Sequence, residues 1–173
     1  VNLGVGVSGV SPYPAARTAD PGAAGLYRVL ATDKPGVYQG EHAQALRNLG
    51  VGLERVGRYP EALTALQEAE GLYRVLATDN PGVYQGEHAH AVRNLGVGLD
   101  RVGRHPEALT ALQEAERLYR TLAADNPAVH QGEHATTRAS LRAVSRRLDR
   151  EDEMIVLGLT GDAAKRDQTN ADE

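Results

Sequence analysis

LRNLGVGLERVGRYPEALTAL, residues 46–66, decides how this chain is read, because it returns at residues 92–112 as VRNLGVGLDRVGRHPEALTAL. Leu46, Leu49, Leu53 and Val56 recur at three- and four-residue steps, which on a helix forms one apolar stripe. Gly50 lies on that stripe. A mid-helix glycine costs about 1 kcal/mol relative to alanine, so its missing side chain points to a neighbouring helix in close approach. Gly57 then ends the first helix, and Pro60 suits the first turn of a second, where its absent N–H would have had no partner. Ala62, Leu63, Leu66, Ala69, Leu72, Tyr73 and Leu76 give the second helix its own stripe, which stops at Asn80-Pro81. The stretch is one helix–turn–helix unit.

The unit repeats with a period of 46 residues, read from the Leu-Tyr-Arg triplets that begin at Leu26, Leu72 and Leu118. Residues 26–71 and 72–117 differ at only six positions: Lys34/Asn80, Gln44/His90, Leu46/Val92, Glu54/Asp100, Tyr59/His105 and Gly71/Arg117. Two units this alike point to an internal duplication. An all-α solenoid over residues 26–160 follows, with helices A at about 40–57 and 86–103 and helices B at about 60–79 and 106–125. The intervening Asp79-Asn80-Pro81-Gly82-Val83-Tyr84-Gln85 reads as a loop of turn formers.

The spacing Leu46-x2-Leu49-Gly50-x2-Leu53 then Ala62-x3-Leu66, with its copy from Val92 to Leu112, resembles the tetratricopeptide repeat. An aliphatic residue stands where that family's first position usually carries Trp. The resemblance implies a right-handed α-α superhelix. A 46-residue unit exceeds the family's usual length of about 34, and looks like the extended variety found in kinesin light chains and many actinobacterial signalling proteins.

Both ends depart from the pattern. Residues 1–25 read as a degenerate unit, because Asn2-Leu3-Gly4 aligns with Asn48-Leu49-Gly50 but Asp20 stands in the place of Leu66 and Pro21-Gly22 in that of Gln67-Glu68. The expectation is a partly irregular segment with helix resuming near Ala23. At the other end, Leu141, Val144 and Leu148 stay in phase, while Arg142 and Val144 replace the equivalents of Gly96 and Gly98. That change suits a capping helix at about 132–150, followed by a short helix at 152–159 and a disordered tail at 161–173. A damaged first unit would leave the face of residues 40–79 under-covered, so self-association, or a place in a longer array, is expected. A chain that opens on Val1 rather than Met also suggests a fragment or a processed or non-standard start.

Composition excludes several classes. With 19 Lys+Arg against 23 Asp+Glu the net charge is −4, which gives no general affinity for nucleic acid or membrane surfaces. No cysteine is present, so there is no disulfide, thiolate metal site or thiol nucleophile. No apolar run approaches the roughly 20 residues of a membrane span, and VNLGVGVSGV is no secretory signal. A cytoplasmic location is compatible with these features. The Gly-Val-Gly stretches at 4–6 and 50–52 lack the Lys-Ser/Thr of a phosphate-binding loop, and no serine has a nucleophile-elbow context. The dyads Glu41-His42, Glu87-His88 and Glu133-His134 lack the His-Glu-x-x-His spacing of zinc helices, and stacked copies would stand about 20 Å apart. They read as helix-start packing and dipole complement. Neither catalysis, nor a cofactor, nor a metal is expected.

Two surfaces remain. Arg138, Arg142, Arg146 and Arg150 fall four residues apart with Arg147 beside them, a basic stripe able to take an acidic partner or a nucleic-acid backbone, or simply a solvated cap face. The resemblance implies a second surface, since helices A of this family line a concave, peptide-holding groove. Carried over by position, it comprises Gln44, Arg47, Asn48, Val51 and Arg55, then His90, Arg93, Asn94, Val97 and Arg101. Asn48 and Asn94 match the family's asparagine that bonds ligand backbone, whereas Val51 and Val97 depart from its two-carboxylate clamp for peptide C-termini. The function expected is a non-enzymatic interaction module for an acidic or polar peptide. The alternatives are a regulatory or sensor segment of a larger bacterial signalling protein, and binding of an acidic partner or nucleic acid by the arginine stripe.

Overall fold

A computed structural model describes residues 21–156 as six helices: α1 (Pro21–Asp33), α2 (Pro35–Arg55), α3 (Tyr59–Asp79), α4 (Pro81–Arg101), α5 (His105–Asp125) and α6 (Pro127–Val156). Each helix packs on the next in sequence, so the molecule is a row of antiparallel hairpins. Helix α4 also touches α2 on one side and α6 on the other, whereas α3 and α5 stand farther apart across a cleft. The α2–α4–α6 row is therefore the tighter side of the stack. Residues 1–20 of the degenerate unit expected at 1–25, and the expected tail at 161–173, lie outside the described residues.

Two kinds of junction alternate. The turn from α2 to α3 uses Gly57, whose φ of +79° places it in the left-handed region. The Arg58 N–H donates to the Leu53 carbonyl (2.9 Å) and the Gly57 N–H to the Glu54 carbonyl (3.1 Å), the paired bonds of a glycine-ended helix. Gly103 repeats this at φ +77°. The turn from α3 to α4 is a single residue, Asn80, at φ −142° and ψ 76°. A residue before proline is driven out of the helical region, and proline itself is welcome at a first helical position. One dihedral break is thus enough to start a new helix. The turn formers expected after Asn80 are instead the first turn of α4, so α2, α4 and α6 begin five residues before their expected starts.

The core is thin-walled and built from small residues. Ala43, Ala62, Ala69, Ala89, Ala108 and Ala115 are fully buried, and the large side chains that fill the remaining space are Leu66, Leu112, Tyr73 and Tyr119. A methyl group built on Gly50 would stand 2.6 Å from the Leu66 side chain and 3.2 Å from the Ala62 carbonyl oxygen. One built on Gly98 would stand 2.9 Å from the same leucine. Leu66 is therefore wedged between glycines of successive helices A. Gly96 receives Leu112 in the same way, at 2.7 Å.

The ends differ from expectation for physical reasons. Among the described residues no short helix is set off after residue 150, because α6 runs unbroken to Val156; positions 157–159 of the expected helix lie outside them. The position equivalent to Gly103 is Asp149 and that of Pro106 is Asp152, so the left-handed glycine that reverses the chain is missing. Val144, in the place of Gly98, does not mark an open position: it is buried and packs against Leu112. Helix α1 starts at Pro21, two residues before Ala23, as the counterpart of the last thirteen residues of α3. Among the described helices it packs on α2 alone. Leu26 is accordingly 58% exposed, while its counterpart Leu118 is 7% exposed.

Substitution separates the two kinds of glycine. Gly96→Val should lose about 1–3 kcal/mol in urea unfolding, since the backbone N of Leu112 at 3.3 Å leaves no room to relax. Gly71→Ala, with nothing within 4 Å of the added carbon, should gain up to about 1 kcal/mol. Equal midpoints for Gly96→Val and the unsubstituted chain would show that close approach does not hold the hairpin.

Candidate functional site

Helices α2 and α4 carry all ten residues expected in the groove. Asn48 and Asn94 are half-buried, and neither side chain makes a hydrogen bond among the described residues. Gln44, Arg55 and Arg101 are exposed, and Val51 and Val97 half-buried. Val97 and Arg101 meet Ser140, Ala143 and Arg147 of α6 in a cleft of about 180 Å³.

Arg47 and Arg93 behave differently from the expectation. Their side chains are only 14% and 16% exposed and are committed to the next helix A, Arg47 to Glu87 and Arg93 to Glu133 (2.9 Å). Arg47 also lies over the Tyr73 ring, 5.6 Å from its centroid. A guanidinium held by a carboxylate and an aromatic face offers little charge to a ligand. The preference for an acidic peptide therefore loses the two cations on which it stood.

These contacts also explain the Glu-His dyads. In each intact joint the glutamate reaches back to the previous helix A and the histidine to the previous helix B: His88 Nε2 lies 3.2 Å from Glu70, and His134 Nε2 2.9 Å from Glu116. His88 and His90 point apart, the latter towards Glu133 of α6 (3.7 Å). Among the described residues no group of three or more His, Cys, Asp or Glu side chains is placed to hold a metal ion.

The joint with α6 has its own pairs. Arg147 turns inward to Asp100 and so leaves the basic stripe, while His105 sits between Asp100 (3.7 Å) and Glu151 (2.6 Å). Three of the six positions that distinguish the two units, His90, Asp100 and His105, thus face α6. Arg138, Arg142, Arg146 and Arg150 remain exposed, without an ion pair among the described residues. Arg138 and Arg142 occupy the positions of Val92 and Gly96, where a following helix B would pack.

Among the clefts of the described residues, one lies where the sequence pattern points to a loop. It has a volume of about 320 Å³ and lies between the N-terminal halves of α2 and α4, with Glu41 and Gln44 on one wall, Val83, Tyr84 and Glu87 on the other, and Tyr73 of α3 as its floor. The turn formers around Tyr84 suggest a loop, but a helix start at Pro81 brings Tyr84 to face Gly40. Burial pushes the Tyr73 hydroxyl up to about 12, with Arg47 opposing the shift.

Two histidines give stability a pH dependence. Burial lowers the pKa of His42 below the ordinary 6.5, with Glu68 opposing and Arg28 reinforcing the shift. Burial also lowers that of His90, reinforced by Arg93 and Arg47 and opposed by Glu133 and Glu87. Folded chains then bind fewer protons than unfolded ones just below pH 6.5, so this contribution is complete above that value and is lost as pH falls through the depressed pKa values. The urea midpoint should drop from pH 7 to pH 5.5, and His42→Gln with His90→Gln should flatten the drop. An unchanged slope in the double variant would contradict this assignment.

Neither the curated proteins nor the solved structures offer a match to this chain. The family model of the tetratricopeptide repeat matches residues 41–121, from the start of the first Glu-His dyad to near the end of α5. With its stacked hairpins and glycine-seated leucines, the chain carries tetratricopeptide repeats over residues 41–121.

Proposed function

We propose that the chain is a non-enzymatic interaction module, of the extended-repeat variety, that holds a peptide segment along the α2–α4 row. Tetratricopeptide repeats generally mediate protein–protein interaction, and no described helix is long and apolar enough to cross a membrane. The observation that carries the reading is the pair Asn48 and Asn94. Each is half-buried on the tighter side of the stack and spends none of its amide hydrogen-bonding capacity on the described residues. A half-buried amide without a protein partner is suited to pair with the backbone of an extended ligand, as its one acceptor and two donors match alternating peptide groups. Arg55 and Arg101, rather than Arg47 and Arg93, are the groove's exposed cations.

A peptide-display library screened against the chain tests this. Selected peptides should bind wild type and lose about tenfold or more in affinity to Asn48→Ala/Asn94→Ala, since each lost bond is worth roughly 0.5–1.5 kcal/mol. Circular dichroism should show the variant's helix content unchanged. Selected peptides that bind the double variant equally well would move the site off this row.

A further inference from the structure

We infer that the cleft between Glu41 and Glu87 is a pocket for one cationic side chain, arginine or lysine, of the bound peptide. Only the identity of the ligand's carrier rests on the peptide-binding reading; the pocket's chemistry does not. Three observations converge on it. The first is charge: Glu41 is exposed and has no ion-pair partner among the described residues, while Glu87 shares Arg47. Two carboxylates against one guanidinium leave the cleft one positive charge short.

The second observation is that a cation is already at home beside it. The Arg47 guanidinium lies over Tyr73 while pairing with Glu87, so an aromatic face and a carboxylate already hold one cation, and Tyr84 and Glu41 line the same cleft. Gly40 leaves room for the Tyr84 ring beside α2, since a methyl group there would stand 3.0 Å from its hydroxyl.

The third observation comes from the other copy. In the equivalent place between α4 and α6, His90 replaces Gln44 and His130 replaces Tyr84. His90 packs edge-on against Tyr119, with ring centroids 6.3 Å apart, and joins Arg93 at Glu133. An imidazole thus fills the second site, whereas the exposed Gln44 leaves the first open. The differences Gln44/His90 and Tyr84/His130 together set the open site of the first unit apart from the second.

The test titrates N-acetyl-arginine amide into the chain and follows the tyrosine ring signals by NMR. Saturable shifts are expected at Tyr73 and Tyr84. They should be absent with N-acetyl-citrulline amide, which has the same shape without the charge. Glu41→Gln should weaken binding at least about threefold, the scale of one exposed ion pair, and Gln44→His should abolish it. Unmoved Tyr73 and Tyr84 rings, an equal response to citrulline, or a Glu41→Gln variant that binds like wild type would each overturn the pocket. The two readings fail separately. Arginine amide that binds where no library peptide does would uphold the pocket and sink the peptide reading. Library peptides that bind without any cationic residue would uphold the groove and sink the pocket.

Discussion

A leucine of helix B seated on a glycine of helix A is the contact on which the rest of this structure depends. Leu66 enters the space left by Gly50 and Gly98, and Leu112 that left by Gly96. With no Trp and no Phe, the chain has few bulky side chains with which to fill gaps between helices. It closes those gaps by bringing backbones together, which is why buried alanines crowd the same interfaces. Close approach is costly to specify, since each mid-helix glycine weakens its own helix. The dispersion and burial gained by a fully enclosed leucine offset that weakness, at roughly 1.5–3 kcal/mol for such a side chain.

Between hairpins, polar pairs fix the stacking. Arg47–Glu87 and Arg93–Glu133 join successive helices A, and His88–Glu70 and His134–Glu116 join a helix A to the preceding helix B. Half-buried pairs of this sort are modest in net energy, because desolvation cancels much of the attraction. Their value lies in direction: each ties a defined position to a defined position 40 or 18 residues away. The second unit departs from the first where it meets α6, at His90, Asp100 and His105. Near-identical units thereby acquire one joint that differs from the other.

The hairpin itself was legible in the sequence, because apolar periodicity, a left-handed glycine and an N-terminal proline all marked the same boundaries. The glycines on the stripe also announced close packing correctly. The helix starts were misread because Pro81-Gly82-Val83-Tyr84 looks like a turn in isolation. Only the steric rule for the residue before proline compresses that turn into Asn80 alone. The unbroken α6 was legible in principle, since Asp149 and Asp152 replace Gly103 and Pro106. For the candidate site, spacing placed the groove residues on the right helices but said nothing of their partners. Arg47 and Arg93 looked free because their carboxylates come from helix starts 40 residues on. The Tyr84 cleft was hidden by the same boundary error.

A stack in which every helix leans on its sequence neighbours makes stability a local matter. Among the described helices α1 leans on α2 alone and leaves Leu26 and Val29 largely exposed, whereas α4 is enclosed by α3 and α5. Native-state hydrogen exchange measures this directly. The account predicts the slowest exchange in the interiors of α3, α4 and α5 and the fastest in α1, with the C-terminal turns of α6 between them. Equal protection of α1 and α4, or early exchange at the amides around Gly96 and Leu112, would contradict a fold held by glycine-seated leucines.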